Sequence, residues 1–407
     1  MRTFISFREA LEAVLAAGRV TAPETVPVEL SIGRVIADHV EASENLPSFA
    51  SSAMDGYAVR SDDCRRPGAV LRVTGEVPAG TVADSTVERG TCMRIMTGAP
   101  VPPGSDGIAP IEWSEPDGDD RIRVDRAVDP GKFVRPAGED VSTGDVIARR
   151  GDTVTPALRG LFAGLGVSTV PVRRMPSVAV ITTGTEVVDP GLMPAPGQIR
   201  NMNGPVLTSL VDRAGGRCDV ELHASDDRTA LEDALARAAG MDLIVISGGV
   251  SVGEYDLVYD VLSARGFEAE FWKVRQRPGK PLLFGQMAGT PVIGLPGNPV
   301  STYVGFEVYV RPLLRTMLGV NHPGPVLLPA RLANHISKPD GLHTFARGFI
   351  QESDAGSPVD RLTVHSTGNQ RSNLLGSIAR ADCLIHLPEA WDDAPAGAEV
   401  MIQLLGT

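Results

Sequence analysis

Hydrophobic and polar positions change rhythm several times along this chain. Residues 1–18, MRTFISFREALEAVLAAG, place apolar positions at helical spacing with Arg8, Glu9 and Glu12 between them, which predicts an amphipathic helix. From about 23 to 152 the period falls to two in short runs, such as 69–73 and 121–124, broken by Gly and Pro. A mostly β unit is expected there. Helical spacing returns over 155–166, with Leu158, Leu161 and Leu165 on one face, before a strand-like stretch at 168–172. The first helix and this later one are expected to pack together and flank the β unit as an insertion.

From 176 to about 319 the order becomes apolar strand, Gly-rich turn, helix, repeated, as a parallel α/β sheet requires. Strands are predicted at 177–181, 242–247 and 291–295. Helices are predicted at 205–214, 229–239, 256–265 and 300–318. The stretch 326–407 reverts to short alternating strands, with one short helix near 373–380, and predicts a small C-terminal β unit.

At 407 residues the chain exceeds what one core usually serves, so two to four compact units are expected. The formal net charge of −12 argues against holding a nucleic-acid backbone by bulk electrostatics. Any anionic ligand must then be held by local cations. Lysine is scarce, at Lys132, Lys273, Lys280 and Lys338 alone. Cys64, Cys92, Cys218 and Cys383 are scattered without a CxxC pair, which fits a reduced, cytosolic setting. The N-terminal stretch lacks the unbroken apolar run of a signal peptide, and no uncharged apolar run is long enough to span a membrane.

Candidate chemistry gathers after the three predicted α/β strands, in Thr182-Thr183-Gly184-Thr185-Glu186, Gly248-Gly249-Val250-Ser251-Val252-Gly253 and Pro296-Gly297-Asn298-Pro299. Open parallel sheets bind ligands outside the carboxyl ends of their strands, so these loops are expected to converge on one cleft. Small residues there let backbone N–H groups approach phosphate oxygens. Around them lie Glu186, Asp226, Asp227, Glu254 and Asp256, with Lys280 in Arg277-Pro278-Gly279-Lys280-Pro281 as the nearby base. Carboxylates beside an anion repel it unless a hard cation lies between, so a Mg²⁺–phosphate site is expected. Asp226-Asp227 ahead of a helix also suits capping.

Two other readings stay open on the residues alone. Gly249 to Gly253 matches G-x-S-x-G, which would make Ser251 a hydrolase nucleophile with His343, His365 or His386 as base. Against it stands the extra Gly248, which lengthens the turn. Taken singly, the acids are solvated or capping groups and the glycines merely turn-formers. The patterns for a P-loop, a dinucleotide fingerprint and a zinc protease are all missing.

In the N-terminal half, Ser51-Ser52-Ala53-Met54-Asp55-Gly56-Tyr57-Ala58-Val59 reads as a loop, an Asp-Gly turn and a strand start. Arg94-Ile95-Met96-Thr97-Gly98-Ala99 and Arg135-Pro136-Ala137-Gly138-Glu139-Asp140 read as ordinary turns. In order with the α/β loops and Gln370-Arg371-Ser372, however, these strings resemble the successive motifs of the molybdopterin molybdenumtransferases, the family of MoeA-type enzymes and the gephyrin E domain.

That resemblance runs nearly end to end and implies a multidomain α/β plus β fold in four domains. Domain I would be 1–24 with 141–174, discontinuous and dimer-forming. Domain II would be the inserted, mostly β stretch 25–140. Domain III would be an α/β molybdopterin-binding domain at 175–322, like the molybdopterin adenylyltransferase MogA, and domain IV a small β domain at 323–407. The resemblance further implies a homodimer whose cleft lies between domain III of one subunit and domain II of the other. On it, Asp55, Thr97 and Asp140 reach the cleft from one side. Glu186, Asp256 and Lys280 face them as catalytic groups, with Glu186, Asp226 and Asp256 around Mg²⁺.

Ligand contacts carried over in the same way are Gly184, Ser247, Gly248, Gly249, Ser251, Gly253, Pro278, Gly279, Pro296, Gly297, Asn298 and Ser301, with Arg347 and Ser372 from domain IV. The implied substrates are adenylylated molybdopterin and molybdate, with AMP released. Molybdopterin adenylyltransferase, molybdoenzyme apoproteins or their chaperones are the implied partners. Family members usually carry Asp at Thr185, Lys at Arg277 and Ser or Asp-Ser around Asn201-Met202, so this chain departs there. A non-catalytic scaffold and an adenylyltransferase are the alternatives; the second would leave the Asp55 loop without a task.

Overall fold

The computed structural model describes residues 1–250, 257–352 and 362–406. Its largest sheet has seven strands in the order Arg2–Ile5, Phe267–Val274, Leu283–Met287, Thr290–Leu295, Leu243–Ser247, Ser177–Thr183, Arg217–Ala224. The last four run parallel, and Ser177–Thr183 and Leu243–Ser247 are buried almost throughout. Strands covered on both faces need continuous apolar runs, as VAVI and LIVI supply. Helices Asn203–Arg213 and Arg228–Arg237 follow as expected, each within about two residues of its predicted bounds. Asp227 caps the second, its side chain accepting from the Ala230 N–H at 3.0 Å.

The predicted single helix at 300–318 is three pieces: Pro299–Gly305, a π-helical turn Phe306–Val310, and Arg311–Met317. Apolar spacing cannot register a π turn, because both helix types keep one face on the core. Glu307 and Arg311 form a buried ion pair there, at 2.7 Å.

The opening residues behave differently from expectation. Arg2–Ile5 is a strand that joins the edge of the α/β sheet beside Phe267–Val274, and only Phe7–Ala16 is helical, started by a Ser6–Glu9 capping box. The helix buries Ala10, Ala13 and Val14 in the α/β core, with Tyr309, Leu313 and Met317 in the same cluster. It does not pair with Pro156–Gly164, which buries Phe162 with Val28, Ile36, Val154 and Val172. Both helices carry one narrow apolar face, and periodicity does not specify which core receives it.

The β unit contains a six-stranded sheet, ordered Gly107–Pro110, Gly56–Val59, Thr91–Ile95, Ala69–Val77, Arg121–Val124, Ser114–Pro116. Short ladders tie its approaches together, Pro23–Pro27 with Thr169–Arg173 and Val40–Glu41 with Val146–Ala148.

In the C-terminal unit, strands Leu327–Leu332, His343–Glu352, Leu362–Ser366, Cys383–Leu387 and Glu399–Leu404 form a sheet that closes through pairing of the second and fourth. Gln276–Arg277 adds to this sheet alongside His343 and Thr344. A loop of the α/β unit is thereby welded to the C-terminal unit. Among the described residues no helix is long and apolar enough to cross a membrane, and all four cysteines are free.

Candidate functional site

A cavity of about 800 Å³ opens at the carboxyl ends of the parallel strands. Its floor comes from the three predicted loops, through Thr183, Gly184, Gly248, Gly249, Pro296, Gly297 and Asn298. Gly248 sits at φ 103°, and a Cβ on it would come within 2.6 Å of Thr183 Oγ1. The floor thus depends on a residue without a side chain. Ser301, from the first turn of Pro299–Gly305, is buried in the wall.

The charged walls are segregated. Glu186 and Asp226 stand on the sheet side, while Arg277 and Lys280 come from the loop shared with the C-terminal unit. Arg371, beside Ser372, adds a third cation that its sequence motif does not by itself mark as a site residue. Pro278 and Gly279 complete the cationic loop.

That loop is held from beneath by Gln276, fully buried, whose side-chain amide donates to the carbonyls of Pro278 and Gly279 at 3.2 Å each. The Tyr309 hydroxyl, from the π-helical turn, donates in turn to Gln276 Oε1. Burial drives the Tyr309 phenol well above its usual pKa, so it stays a donor. Neither residue showed a signal in the sequence, because their roles arise only once the loop folds over the turn.

Arg347, expected to approach the ligand, is instead buried outside this cavity. Its guanidinium donates to the carbonyls of Asn369 (3.3 Å), Gln370 (3.1 Å) and Arg371 (3.1 Å) and to Ser377 Oγ (3.1 Å). Burial, and then the neighbouring Arg277 charge, push its pKa down to about 10. It shapes the Gln370–Ser372 strip, and the Val300 N–H fixes that strip further by donating to the Ser372 carbonyl at 3.1 Å. The aliphatic pattern around Arg347 gives no hint that a cation will be enclosed.

A second cavity of about 430 Å³ adjoins the first, sharing Thr183, Glu186, Gly297 and Asn298. Ser247 lies here rather than in the main cavity. Asn203 donates to both Ser247 Oγ (2.9 Å) and the Gly297 carbonyl (2.8 Å), joining two of the loops.

Asp55, Thr97 and Asp140 line neither cavity within this chain. Pairing of Gly56 with Ile95 brings the first two together, so Asp55 Oδ1 accepts from the Thr97 N–H (2.7 Å) and hydroxyl (2.8 Å). Those bonds hold the Asp55 carboxyl below its ordinary pKa. Both side chains are exposed, as is Asp140 on its own turn. Gly56 is required where it stands, since a Cβ would meet the Ala109 carbonyl at 2.1 Å. Ser251, Gly253 and Asp256 fall outside the described residues.

The chain matches family models over three stretches: the MoeA N-terminal region (domain I and II) at 5–166, a probable molybdopterin binding domain at 179–316, and the MoeA C-terminal region (domain IV) at 329–405. It is 38% identical to molybdopterin molybdenumtransferase 2 of Mycobacterium tuberculosis, over 98% of each chain. The chain belongs to the molybdopterin molybdenumtransferase family. A Staphylococcus aureus molybdopterin molybdenumtransferase is 30% identical over 99% of this chain and 96% of its own. Two crystal structures of the molybdopterin biosynthesis MoeA protein of Pyrococcus horikoshii superpose with TM-scores of 0.82 and 0.84 at 30% and 28% identity, covering 98–99% of this chain and 99–100% of theirs.

Thr185, one of the positions where the resemblance implied a departure, is a hydrogen-bond partner of Asp226. Its N–H donates to Asp226 Oδ2 at 3.0 Å, and its hydroxyl accepts from the Asp226 N–H at 3.2 Å. Asn201 donates to Thr182 Oγ1 (2.9 Å) and accepts from the Gly204 N–H (3.0 Å), so it braces the wall of the smaller cavity.

The three histidines named for the hydrolase alternative line neither cavity. His343 and His386 pack with Phe7 and Phe345 in an aromatic cluster, and burial pushes their pKa values down to about 3 and about 4. His365 stacks on Phe349. Among the described residues no histidine lines either cavity.

Proposed function

We propose that this transferase of molybdenum cofactor biosynthesis binds adenylylated molybdopterin and molybdate in the larger cavity, cleaves the pyrophosphate link and releases AMP. One observation carries the reading: three cations from two structural units face two carboxylates across glycine-built strand ends. Lys280, Arg277 and Arg371 would offset the charge of phosphate and molybdate oxygens, Arg277 with a planar fork suited to oxyanions. The loop backbones would let N–H groups approach a phosphate closely.

Glu186 and Asp226 suit a hard cation that keeps water and phosphate oxygens as its other ligands, and Mg²⁺ is the ion proposed, with Asp256 the third carboxylate. Held by these carboxylates, it would supply positive charge that offsets their repulsion of a phosphate. The protein's own part is orientation: Gln276 and Arg347 fix the two loops that present the cations, so that both anions meet in one geometry.

The exposed Asp55–Thr97 pair and Asp140 line neither cavity of their own chain. A homodimer is proposed in which they complete the partner's cleft, with a cytosolic setting and handover among adenylyltransferase, this protein and apo-molybdoenzymes or their chaperones. The test is direct: purified protein with both substrates and Mg²⁺ should release AMP, and chelation should stop it. AMP release no faster than from Lys280→Ala protein would reject the assignment. Adenylylation of free molybdopterin from ATP would instead favour the adenylyltransferase alternative.

A further inference from the structure

We infer that Phe4 is a positioning residue that holds the Lys280 ammonium against the cavity. The Lys280 Nζ lies 4.8 Å from the centre of the Phe4 ring, within the range of a cation–π contact. Lys280 is exposed, and its four-carbon stem would otherwise sample many rotamers. A ring beneath the charge removes much of that freedom before an anion arrives.

The backbone at Phe4 is built for this placement. In the edge ladder Arg2 pairs with Phe271, Thr3 with Trp272 and Ile5 with Val274, while Phe4 and Lys273, opposite each other, both adopt positive φ, 56° and 71°. Bulky residues rarely sit in that region unless their surroundings impose it. Arg275 supplies the constraint: its Nη1 donates to the Phe4 carbonyl at 3.0 Å, and its Nε to Glu389 Oε2 at 3.1 Å. Glu389 also accepts from the Phe7 N–H at 3.3 Å. The N-terminal strand, the cationic loop and the C-terminal unit are knotted at this point, and a ring that is 39% exposed is turned onto the lysine.

This inference rests on the assignment of Lys280 to an oxyanion, and the two can fail separately. With only four lysines, reductive ¹³C-methylation gives few signals, and the Lys280 signal is the one lost in Lys280→Arg. It should be displaced upfield by the ring, return toward the free-lysine position in Phe4→Leu, and stay displaced in Phe4→Tyr. Molybdate binding should weaken two- to five-fold in Phe4→Leu, the equivalent of one exposed cation–π contact, and recover in Phe4→Tyr. In a Lys280→Met background the same Phe4 change should have no effect, with melting curves confirming folded protein throughout.

A signal that Phe4→Leu leaves unmoved overturns the inference. So does an equal loss of affinity in both backgrounds, which would mark Phe4 as structural only. If Lys280→Met itself leaves molybdate binding unchanged, the oxyanion assignment of Lys280 has failed, and the positioning role falls with it.

Discussion

Lys280 projects from a Pro-Gly-Lys-Pro loop with little core behind it, so its replacement separates binding from folding. Lys280→Ala is expected to weaken binding of the adenylylated substrate by about 1.5–3 kcal/mol, the value of a charged hydrogen bond. Calorimetric titration checks this; an unchanged dissociation constant with an intact melting curve would remove Lys280 from the site. Arg347 predicts the opposite balance. Replacing it by Met strands the carbonyls of Asn369, Gln370 and Arg371 in a buried position, which should cost on the order of 3 kcal/mol of stability. Chemical denaturation should show the loss, and a variant of wild-type stability would contradict its structural role. Thr185 is likewise tied to a neighbour, donating its N–H to the Asp226 carboxylate.

At the scale of elements, the turn after Leu243–Ser247 depends on a φ of 103° at Gly248 and on contact with Thr183. Gly248→Ala is expected to destabilise the protein by roughly 1–3 kcal/mol through backbone strain, and to reduce ligand affinity by moving the Thr183 loop. Full affinity and stability in that variant would show that the loop tolerates a side chain.

The aromatic cluster between the first helix and the C-terminal sheet adds a pH dependence. His343 and His386 titrate at about 3 and about 4 when folded, below the ordinary 6.5. Below pH 6.5 the unfolded chain therefore binds protons that the folded chain does not, and stability falls with pH until the folded values are passed. Melting temperature should drop between about pH 6.5 and 4, and His343→Phe should flatten the fall. A profile identical in wild type and variant would show that the imidazole does not stay neutral.

For the whole molecule the proposed shared cleft turns on the Asp55–Thr97 pair, which lines neither cavity of its own chain. If the cleft is shared between protomers, Asp55→Ala and Lys280→Ala proteins are each inactive alone. Mixed with subunit exchange, half the dimers are heterodimers with one intact cleft of two, so activity should return to about a quarter of wild type. Demonstrated exchange without recovery would place both residues in one chain's cleft or make one of them structural.

The sequence by itself determined three parallel α/β strands, at 177–181, 242–247 and 291–295, and the loops after them, because buried parallel strands demand unbroken apolar runs; Arg217–Ala224, Phe267–Val274 and Leu283–Met287 carry no such run and emerged only in the folded sheet. It also named Glu186 and Asp226 on one charged wall and Lys280 on the other. Local pattern carries such features, since each depends on residues a few positions apart. Contacts between distant segments were decided only in three dimensions. The opening strand joined the α/β sheet instead of an early helix packing on Pro156–Gly164, because an amphipathic face does not encode its partner. The enclosure of Arg347, the Tyr309–Gln276 support and the ring of Phe4 beneath Lys280 likewise bring together residues separated by tens to hundreds of positions. Each depends on which surfaces the folded units present to one another.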